Sequence, residues 1–134
     1  TGVQTCALPI CDLTLVSYGY GMRPVNDAAD KLSAEGVSIE VIDLRSLSPL
    51  DVDTVVNSAQ KTNKLVVVDT ARRTGGIMAE LVAEVQERAM EWLDGPVVRI
   101  GSTDVPWPYN RDLEQTALVG VEEVLAGVRN GFDL

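Results

Sequence analysis

The feature of this 134-residue sequence that most constrains its fold is an alternation of short β-rich runs with amphipathic segments from Asp12 onwards. The run KLVVVDT, at 64–70, contains consecutive valines, which is typical of a central parallel strand covered by helices on both faces. Three further runs have the composition of strands: DLTLVSY at 12–18, VSIEVIDL at 37–44 and PVVRIG at 96–101. Strands that alternate with helices through short links predict one domain built on a doubly wound α/β sheet.

Amphipathic helices are predicted between and after these runs. One helix lies within 23–35, the next follows the N-cap residue Asp51, and a third follows the N-cap residue Thr74. The inward face predicted for the third helix consists of Ile77, Leu81, Val85, Ala89 and Trp92. A last helix lies within 119–132, whereas the turn-forming residues of STDVPWPYNRDLEQ, at 102–115, predict an irregular segment over the domain edge.

Composition excludes several classes of function. The formal net charge is -9 and the pI is about 4.3, whereas binding to a phosphate backbone needs clustered lysine and arginine. The sequence lacks histidine, the commonest general base and metal ligand, and Cys6 and Cys11 form neither a CxxC pair nor a zinc site. We therefore expect no nucleic-acid partner, no catalytic residue and no metal site. The sequence shows neither a signal peptide nor an apolar run of about 18 residues, so a cytoplasmic protein without a membrane partner is expected.

Two loops that follow predicted strands offer glycines near a helix start. In YGYGMRP, Gly19 and Gly21 are followed by Pro24 where a dinucleotide fingerprint has its third glycine, so a plain strand-to-helix turn is favoured. The second loop, RRTGG, precedes the partly positive N-terminus of a helix and lies where open α/β sheets place ligands or partners. Its possible anion donors are Arg72, Arg73, Gly75 and Gly76. This loop is a candidate anion or interface loop, and a surface loop without a ligand is the alternative.

Other charged and aromatic residues admit both structural and functional interpretations. Asp43 and Arg45 are close neighbours in IDLRSLSPLD, so an ion pair that fixes the loop is favoured over an acid and a base. A set of glutamates at helical spacing indicates a solvated helix face: Glu80, Glu84, Glu87 and Glu91. Trp107 and Tyr109 lie next to prolines and are candidate interface residues, with packing over their own sheet as the alternative.

A family resemblance is carried by the order of four features: IDLRSLSPLD, KLVVVDTARRTGGIMAELVAEV, LDGPVVRIGSTDVPWPYNRDLE and a final helix. In this order the chain resembles the C-terminal domain of the beta subunit of thiamine-diphosphate-dependent 2-oxoacid dehydrogenases, which include pyruvate, branched-chain and acetoin dehydrogenases. More broadly, it resembles the transketolase C-terminal domain. The resemblance runs from about Asp12 to the end of the chain. It implies a three-layer α/β sandwich with a mostly parallel sheet of about five strands, of which the residue pattern shows four.

The resemblance implies a role in assembly and docking. Such domains contact the alpha subunit and a second beta subunit in an alpha2-beta2 assembly, and they dock the subunit-binding domain of the acyltransferase core. Docking uses an acidic residue after the long helix and the terminal carboxylate, and the matching positions here are Asp94 and Leu134. Some members carry histidine before the loop that corresponds to TARRTGG, where this chain has Asp69 and Thr70.

The resemblance also implies that the chemistry is carried by other parts of the complete enzyme. Thiamine diphosphate and Mg²⁺ are bound there, so this segment is expected to bind neither cofactor and to be inactive alone. A free-standing protein-binding module of the same fold, without catalysis, stays the alternative. A nucleotide-binding flavodoxin-like domain is disfavoured because the phosphate loop is missing.

Residues 1–10, TGVQTCALPI, stand apart from the resemblance. They carry no charged side chain and have neither a strand period nor a helix period. One reverse translation, ACTGGAGTTCAGACGTGTGCTCTTCCGATC, encodes all ten residues and is similar to a common short-read sequencing adapter. We therefore expect residues 1–10 to be a non-native, unstructured or loosely packed segment, and residues 11–134 to form the transketolase C-terminal-like domain.

Overall fold

Strands and helices alternate along the described part of the chain, which comprises residues 2–4 and 11–132 of a computed structural model. The strands are β1 (Gly2–Gln4), β2 (Leu13–Ser17), β3 (Ile39–Asp43), β4 (Leu65–Arg72) and β5 (Val98–Ser102). The α-helices are α1 (Met22–Ala34), α2 (Val52–Thr62), α3 (Ile77–Ala89), α4 (Arg111–Ala117) and α5 (Val121–Phe132). Short 3-10 turns at Gly19–Gly21 and Met90–Trp92 precede α1 and follow α3.

The strands form one mixed sheet in the order β1-β3-β2-β4-β5. Four strands, β2 to β5, are parallel, with Leu13 of β2 opposite Ile39 of β3 and Val66 of β4 opposite Val98 of β5. β1 pairs antiparallel with β3 at one edge. The mostly parallel sheet of five strands that the resemblance implied is confirmed, and β1 is the strand that the residue pattern did not show.

Helices cover both faces of the sheet. On β4, Val66 and Val68 contribute to the apolar layer under α1 and α5, whereas Leu65 and Val67 contribute to the layer under α2 and α3. All four side chains are at most 1% exposed. The run of valines therefore lies in a central strand buried on both faces, as predicted, and the molecule is a three-layer sandwich.

The starts of α2 and α3 differ in how they are capped. Asp51 caps α2 as predicted, because its side chain accepts a hydrogen bond from the backbone N–H of Thr54 at 3.1 Å. Thr74 does not cap α3, which has Gly76 at the N-cap position without a side-chain hydrogen bond. The Thr74 hydroxyl instead donates to Asp104 at 2.7 Å. The predicted cap at Thr74 is therefore wrong, because this hydroxyl is engaged by the segment after β5.

Two boundaries differ from the prediction, one at the end of α3 and one at the start of α4. α3 ends at Ala89, whose φ of -140° breaks the helical period, so Trp92 is 48% exposed and its predicted inward position is wrong. The segment 102–115 was expected to be irregular, but α4 begins at Arg111. Asn110 caps this helix by accepting hydrogen bonds from the backbone N–H groups of its first turn.

β1 differs from the expectation that residues 1–10 lack regular structure. Its three residues pair with residues 41–43 of β3. The physical reason is that the outer edge of β3 presents unpaired backbone groups, with which an extended segment pairs largely irrespective of its side chains. Residues 1 and 5–10 lie outside the described residues, and the non-native origin of the segment stays a prediction.

Candidate functional site

The residues predicted as sites lie at opposite ends of the sheet. The loop RRTGG, at 72–76, follows the carboxyl end of β4. Asp94 precedes β5 at the other end, where its backbone N–H donates to the carbonyl oxygen of Asn63 at 2.9 Å. Leu134 lies outside the described residues. The structure therefore separates the candidate loop from the candidate docking residue.

The carboxyl ends of β2 and β4 form the topological switch point of the sheet. β2 leads to α1 on one face and its neighbour β4 leads to α3 on the other, and such points are where open α/β sheets form crevices. Tyr18, directly after β2, donates its hydroxyl to Asp69 Oδ1 at 2.6 Å. Ser17 Oγ donates to the carbonyl oxygen of Val68 at 2.8 Å. Polar contacts thus link the two strands at this point.

Asp69 is the buried carboxyl group of this crevice. It is 3% exposed, and its Oδ1 also accepts the backbone N–H of Ala71 at 2.8 Å. Its Oδ2 is buried and has no hydrogen-bond partner among the described residues. Burial, the hydrogen bond to Asp69 and the negative charge of Asp69 raise the pKa of Tyr18 well above its usual range. Tyr18 is therefore held as a neutral hydrogen-bond donor.

Gly76 brings the start of α3 against this carboxyl group. A Cβ atom at position 76 would lie 2.8 Å from both Asp69 Oδ2 and the carbonyl oxygen of Arg72, so no larger side chain fits without movement. Gly75 has a φ of +74°, which favours glycine. Because Asp69 already lies near the partly positive N-terminus of α3, a bound anion there would be repelled. The geometry disfavours the anion interpretation of RRTGG and leaves its interface interpretation open.

Exposed cationic and aromatic side chains surround the crevice. We define the arginine–aromatic face by six residues: Tyr20, Arg23, Arg72, Arg73, Trp107 and Arg111. All six are exposed. Arg23 lies 5.7 Å from the centroid of the Tyr20 ring. Tyr20, Trp107 and Arg111 also line a cleft of about 470 Å³ over the end of β4.

Only half of this face was identified from the sequence. Arg72, Arg73 and Trp107 were candidates, and Trp107 is 46% exposed with its indole N–H donating to Glu114 at 3.1 Å. Tyr20, Arg23 and Arg111 were missed because three separate segments contribute to the face. The position of RRTGG at the carboxyl end of a parallel strand was the one signal that pointed here. Tyr109, the other aromatic candidate, is fully exposed at 105%.

At the opposite end, Asp94 is exposed on a turn with a fixed backbone. Asn63, in the left-handed conformation with a φ of 61°, donates its side-chain N–H to the carbonyl oxygen of Trp92 at 2.5 Å. The backbone carbonyl oxygen of Asn63 also accepts the hydrogen bond from the backbone N–H of Asp94. Met90 is 66% exposed and Glu91 is exposed on the same turn. This end, 87–94, combines carboxylates with exposed apolar side chains, and we call it the acidic end.

The two remaining motifs have structural roles. Arg45 Nε lies 3.4 Å from Asp43 Oδ2, and the Arg45 backbone N–H donates to Asp43 Oδ1 at 3.2 Å. The ion pair favoured from the sequence is thereby confirmed. In YGYGMRP, a Cβ atom on Gly21 would collide with the hydroxyl of Ser17, so this glycine permits a close approach of the turn to β2. The strand-to-helix turn is confirmed as well.

The described ranges, 2–4 and 11–132, contain neither a candidate metal site nor a candidate membrane-spanning helix. No group of three or more His, Cys, Asp or Glu residues in these ranges is arranged to hold a metal ion. No helix in the same ranges is long and apolar enough to cross a membrane. The cytoplasmic location stays a prediction.

Comparison with known proteins identifies the family. The sequence profile described as "Transketolase, C-terminal domain" matches residues 9–124. The chain therefore belongs to the transketolase C-terminal domain family. A solved structure described as "Split gene transketolase, inactive beta4 tetramer" has the same fold, with a TM-score of 0.73 and 30% sequence identity. That match covers 97% of this chain and 41% of the other.

Curated relatives narrow the resemblance within this family. The pyruvate dehydrogenase E1 component subunit beta of Rhizobium meliloti (strain 1021) is 41% identical over 118 residues, which are 88% of this chain and 26% of that protein. The protein of the same name from Bacillus subtilis (strain 168) is 39% identical over 88% of this chain and 36% of its own length. The resemblance to 2-oxoacid dehydrogenase beta subunits is confirmed. The chain spans between 26% and 36% of the length of these two relatives.

Proposed function

We propose that this chain is the C-terminal domain segment of a 2-oxoacid dehydrogenase beta subunit that serves subunit assembly and docking to the acyltransferase core. The observation that supports this most is the identity of 39% to 41% with pyruvate dehydrogenase E1 beta subunits over 88% of the chain. The complete enzyme would decarboxylate a 2-oxoacid oxidatively and transfer the acyl group to a lipoyl group. This segment would supply surfaces for the alpha subunit, a second beta subunit and the acyltransferase.

Thiamine diphosphate and Mg²⁺ would be held by other parts of the complete enzyme. The described residues do not fit these groups, since they offer no cluster of acidic ligands for Mg²⁺. A helix N-terminus is a common binding site for a diphosphate, and the start of α3 lies instead against the carboxyl group of Asp69. No catalytic step is therefore assigned to this chain, and we expect it to be inactive alone.

Docking of a basic partner is supported by the acidic end. Asp94 is exposed there, and its backbone N–H is bonded to Asn63, so the backbone that carries the carboxylate is held at the end of α2. A chain with a net charge of -9 also attracts a basic partner over a distance and speeds its association. The terminal carboxylate of Leu134 is the second proposed contact, and it lies outside the described residues.

A chimera tests the role in assembly. Residues 11–134 replace the matching segment of the Bacillus subtilis beta subunit, which is co-expressed with the alpha subunit of the same enzyme. We expect an alpha2-beta2 assembly by size-exclusion chromatography with light scattering, and decarboxylation of pyruvate with an artificial electron acceptor. A folded chimera that takes up no alpha subunit would contradict the proposal and favour the free-standing binding module.

Charge reversal at Asp94 tests docking. Binding of the 134-residue chain to the subunit-binding domain of the Bacillus subtilis acyltransferase is measured by surface plasmon resonance. We expect Asp94→Lys to weaken binding by about tenfold, mainly through slower association. Asp30→Lys is the matched control, because Asp30 is an exposed carboxylate on α1 and the change in net charge is the same. Equal weakening by both substitutions would contradict a specific role of Asp94.

A further inference from the structure

We infer that Asn63 and Lys64 are positioning residues of the docking surface at the acidic end. These two residues form the whole link between α2 and β4. Asn63 contacts the turn that carries Trp92 and Asp94, and Lys64 contacts the end of α5. The inference rests on the proposed function for the occupant of this surface, which is the basic subunit-binding domain of the acyltransferase.

The link itself is held by the core of the protein. Thr62, directly before the link, is buried at the end of α2. The backbone N–H of Asn63 donates to the carbonyl oxygen of Ala59 at 2.8 Å and closes that helix. The backbone carbonyl oxygen of Lys64 accepts the backbone N–H of Thr14 in β2 at 2.9 Å. The link is therefore a fixed point to which surface segments can be bonded.

Asn63 holds the turn after α3 on both sides of Leu93. Its side-chain N–H donates to the carbonyl oxygen of Trp92, and its backbone carbonyl oxygen accepts the backbone N–H of Asp94. Leu93, between these two residues, packs against the apolar layer under α2 and α3. Asn63 has the left-handed conformation that ends α2, which asparagine and glycine adopt most readily. The turn is thus held at three consecutive residues although it lies beyond the end of α3.

This turn carries the side chains that a partner would contact. Trp92 is 48% exposed, Met90 is 66% exposed and Asp94 is exposed in the same segment. Tryptophan is among the residues that most often dominate binding energy in protein interfaces. A segment that is already ordered loses less entropy when a partner docks on it. Asn63 therefore adds to affinity through Trp92 and Asp94 without contacting the partner itself.

Lys64 holds the end of α5 on the other face of the sheet. Its ammonium group lies 5.8 Å from the centroid of the Phe132 ring, and Phe132 packs against the apolar layer under α1 and α5. Leu134, the second proposed contact, follows Phe132 by two residues and lies outside the described residues. By its charge, Lys64 opposes the docking of a basic partner. Its contribution to docking must therefore come from the contact with Phe132.

The order of Trp92 tests the Asn63 contact in the absence of a partner. The chain contains two tryptophans, so Trp107→Phe leaves Trp92 as the only one. In this background we expect Asn63→Gly, which keeps the left-handed backbone, to increase the amplitude of fast Trp92 motion about twofold in fluorescence anisotropy decay. Asn57→Ala, which removes an exposed amide from the same helix, is the matched control. Unchanged Trp92 motion in Asn63→Gly would overturn the inference.

Docking kinetics test whether this order matters to the partner. Binding to the subunit-binding domain of the Bacillus subtilis acyltransferase is measured by surface plasmon resonance. We expect Asn63→Gly to speed dissociation by about three- to tenfold and to leave the salt dependence of association unchanged, because no charge is altered. Asn63→Asp is the second variant, and it decides the question if Asn63→Gly does not fold.

Asn63→Asp also separates positioning from charge. It removes the side-chain N–H that bonds to Trp92 while it adds a negative charge to the acidic end. Charge alone predicts tighter binding of a basic partner, whereas loss of the bond predicts faster dissociation, which we expect. Tighter binding with a wild-type dissociation rate would contradict the role of Asn63.

Lys64→Met makes the same separation at the second residue of the link. The substitution makes the chain more acidic, so charge alone again predicts tighter binding. We expect dissociation to become about threefold faster instead, and Lys64→Arg to restore the wild-type rate because it keeps a cation over the Phe132 ring. Lys31→Met on α1 is the matched control with an equal change in charge. Tighter binding by Lys64→Met would overturn the role of Lys64.

Failure of the inference and failure of the proposed function give different results. If Asp94→Lys weakens binding more than Asp30→Lys while Asn63→Gly and Lys64→Met leave dissociation unchanged, docking at the acidic end stands and the inference fails. If the wild-type chain does not bind, or if the two aspartate variants weaken binding equally, the proposed docking fails and the inference fails with it.

Discussion

Asp69 joins three elements at the carboxyl end of the sheet. Its Oδ1 accepts hydrogen bonds from Tyr18 after β2 and from Ala71 on β4, and its Oδ2 lies against Gly76 at the start of α3. The sequence pattern predicts the strand that carries Asp69 but not these contacts. Tyr18 is 51 residues away, and the two residues meet only because β2 and β4 are neighbours in the sheet. Sequence reasoning therefore identified the loop after β4 but missed the pair that organises it.

Removal of the Tyr18 hydroxyl tests the importance of this pair. We expect Tyr18→Phe to lower the free energy of unfolding by about 1–3 kcal/mol at neutral pH, because a buried carboxyl group loses a hydrogen-bond donor. The measurement is urea unfolding followed by circular dichroism. Tyr109→Phe is the matched control, since Tyr109 is fully exposed, and it should leave stability unchanged.

The same pair predicts a loss of stability in alkali. The pKa of Tyr18 is raised in the folded state, mainly by burial, so the folded protein holds this proton more tightly than the unfolded chain. The resulting stabilisation is fully present below the ordinary tyrosine pKa of about 10 and declines as the pH rises above it. We expect unfolding free energies measured from pH 8 to 11 to decline less steeply in Tyr18→Phe. An equal decline in both proteins would assign the alkaline effect to other groups.

At the scale of elements, the sequence predicts those that have a long apolar period. The strands β2 to β5 and the helices α1, α2, α3 and α5 follow from such patterns. Shorter elements depend on tertiary contacts: α4 has seven residues and starts at the Asn110 cap, and β1 exists through pairing with β3. Trp92 had the right spacing for an inward face, but the helix ends three residues before it. The sequence pattern thus misses the helix boundaries that depend on local backbone geometry or on a capping side chain and not on the spacing of apolar residues.

A buried set of hydroxyl groups joins β2 to α2 and gives a prediction at this scale. Thr14 Oγ1 lies 2.7 Å from Ser58 Oγ and 2.8 Å from Thr62 Oγ1, and all three residues are buried. We expect Thr14→Val to lower the free energy of unfolding by about 1–3 kcal/mol, because Ser58 loses its hydrogen-bond partner while the shape of the side chain is kept.

A double-mutant cycle with Ser58→Ala isolates this contact. The double variant removes both hydroxyl groups, so its loss of stability should be smaller than the sum of the two single losses by about 0.5 kcal/mol or more. Urea unfolding of the four proteins gives the coupling energy. Strictly additive losses would show that the two hydroxyl groups stabilise the protein independently.

For the whole molecule, the main feature is its division into two chemically different ends. The acidic end carries Asp94 beside exposed Met90 and Trp92, whereas the opposite end carries the arginine–aromatic face. Net charge alone showed an acidic chain and favoured basic partners. It could not show the second surface, because the cations of that surface are distant in sequence and are gathered by the strand order. The two ends of this domain therefore differ in the charge of their exposed side chains.

Removal of residues 1–10 tests which part of the chain is the folding unit. The two apolar layers consist of side chains from Leu13 to Val128, and β1 contributes only three residues at one edge. We therefore expect residues 11–134 to unfold in one cooperative transition, with a free energy of unfolding lower by no more than about 1–2 kcal/mol. Thermal and urea unfolding under reducing conditions give this comparison with the full chain. Loss of the cooperative transition would contradict a domain that begins at residue 11.

The same truncation uncovers the outer edge of β3. Without β1, the backbone groups of residues 41–43 that face β1 have no strand to pair with. Because an uncovered edge is a template for pairing, we expect the truncated chain to self-associate more than the full chain as its concentration rises. Sedimentation velocity over a concentration series measures this. The full-length chain is the control, because β1 keeps the edge covered there. A charged substitution in β3 cannot serve as the control, since Val41→Lys would bury a lysine side chain and unfold the protein. Equal association of both chains would mean that β1 does not protect this edge.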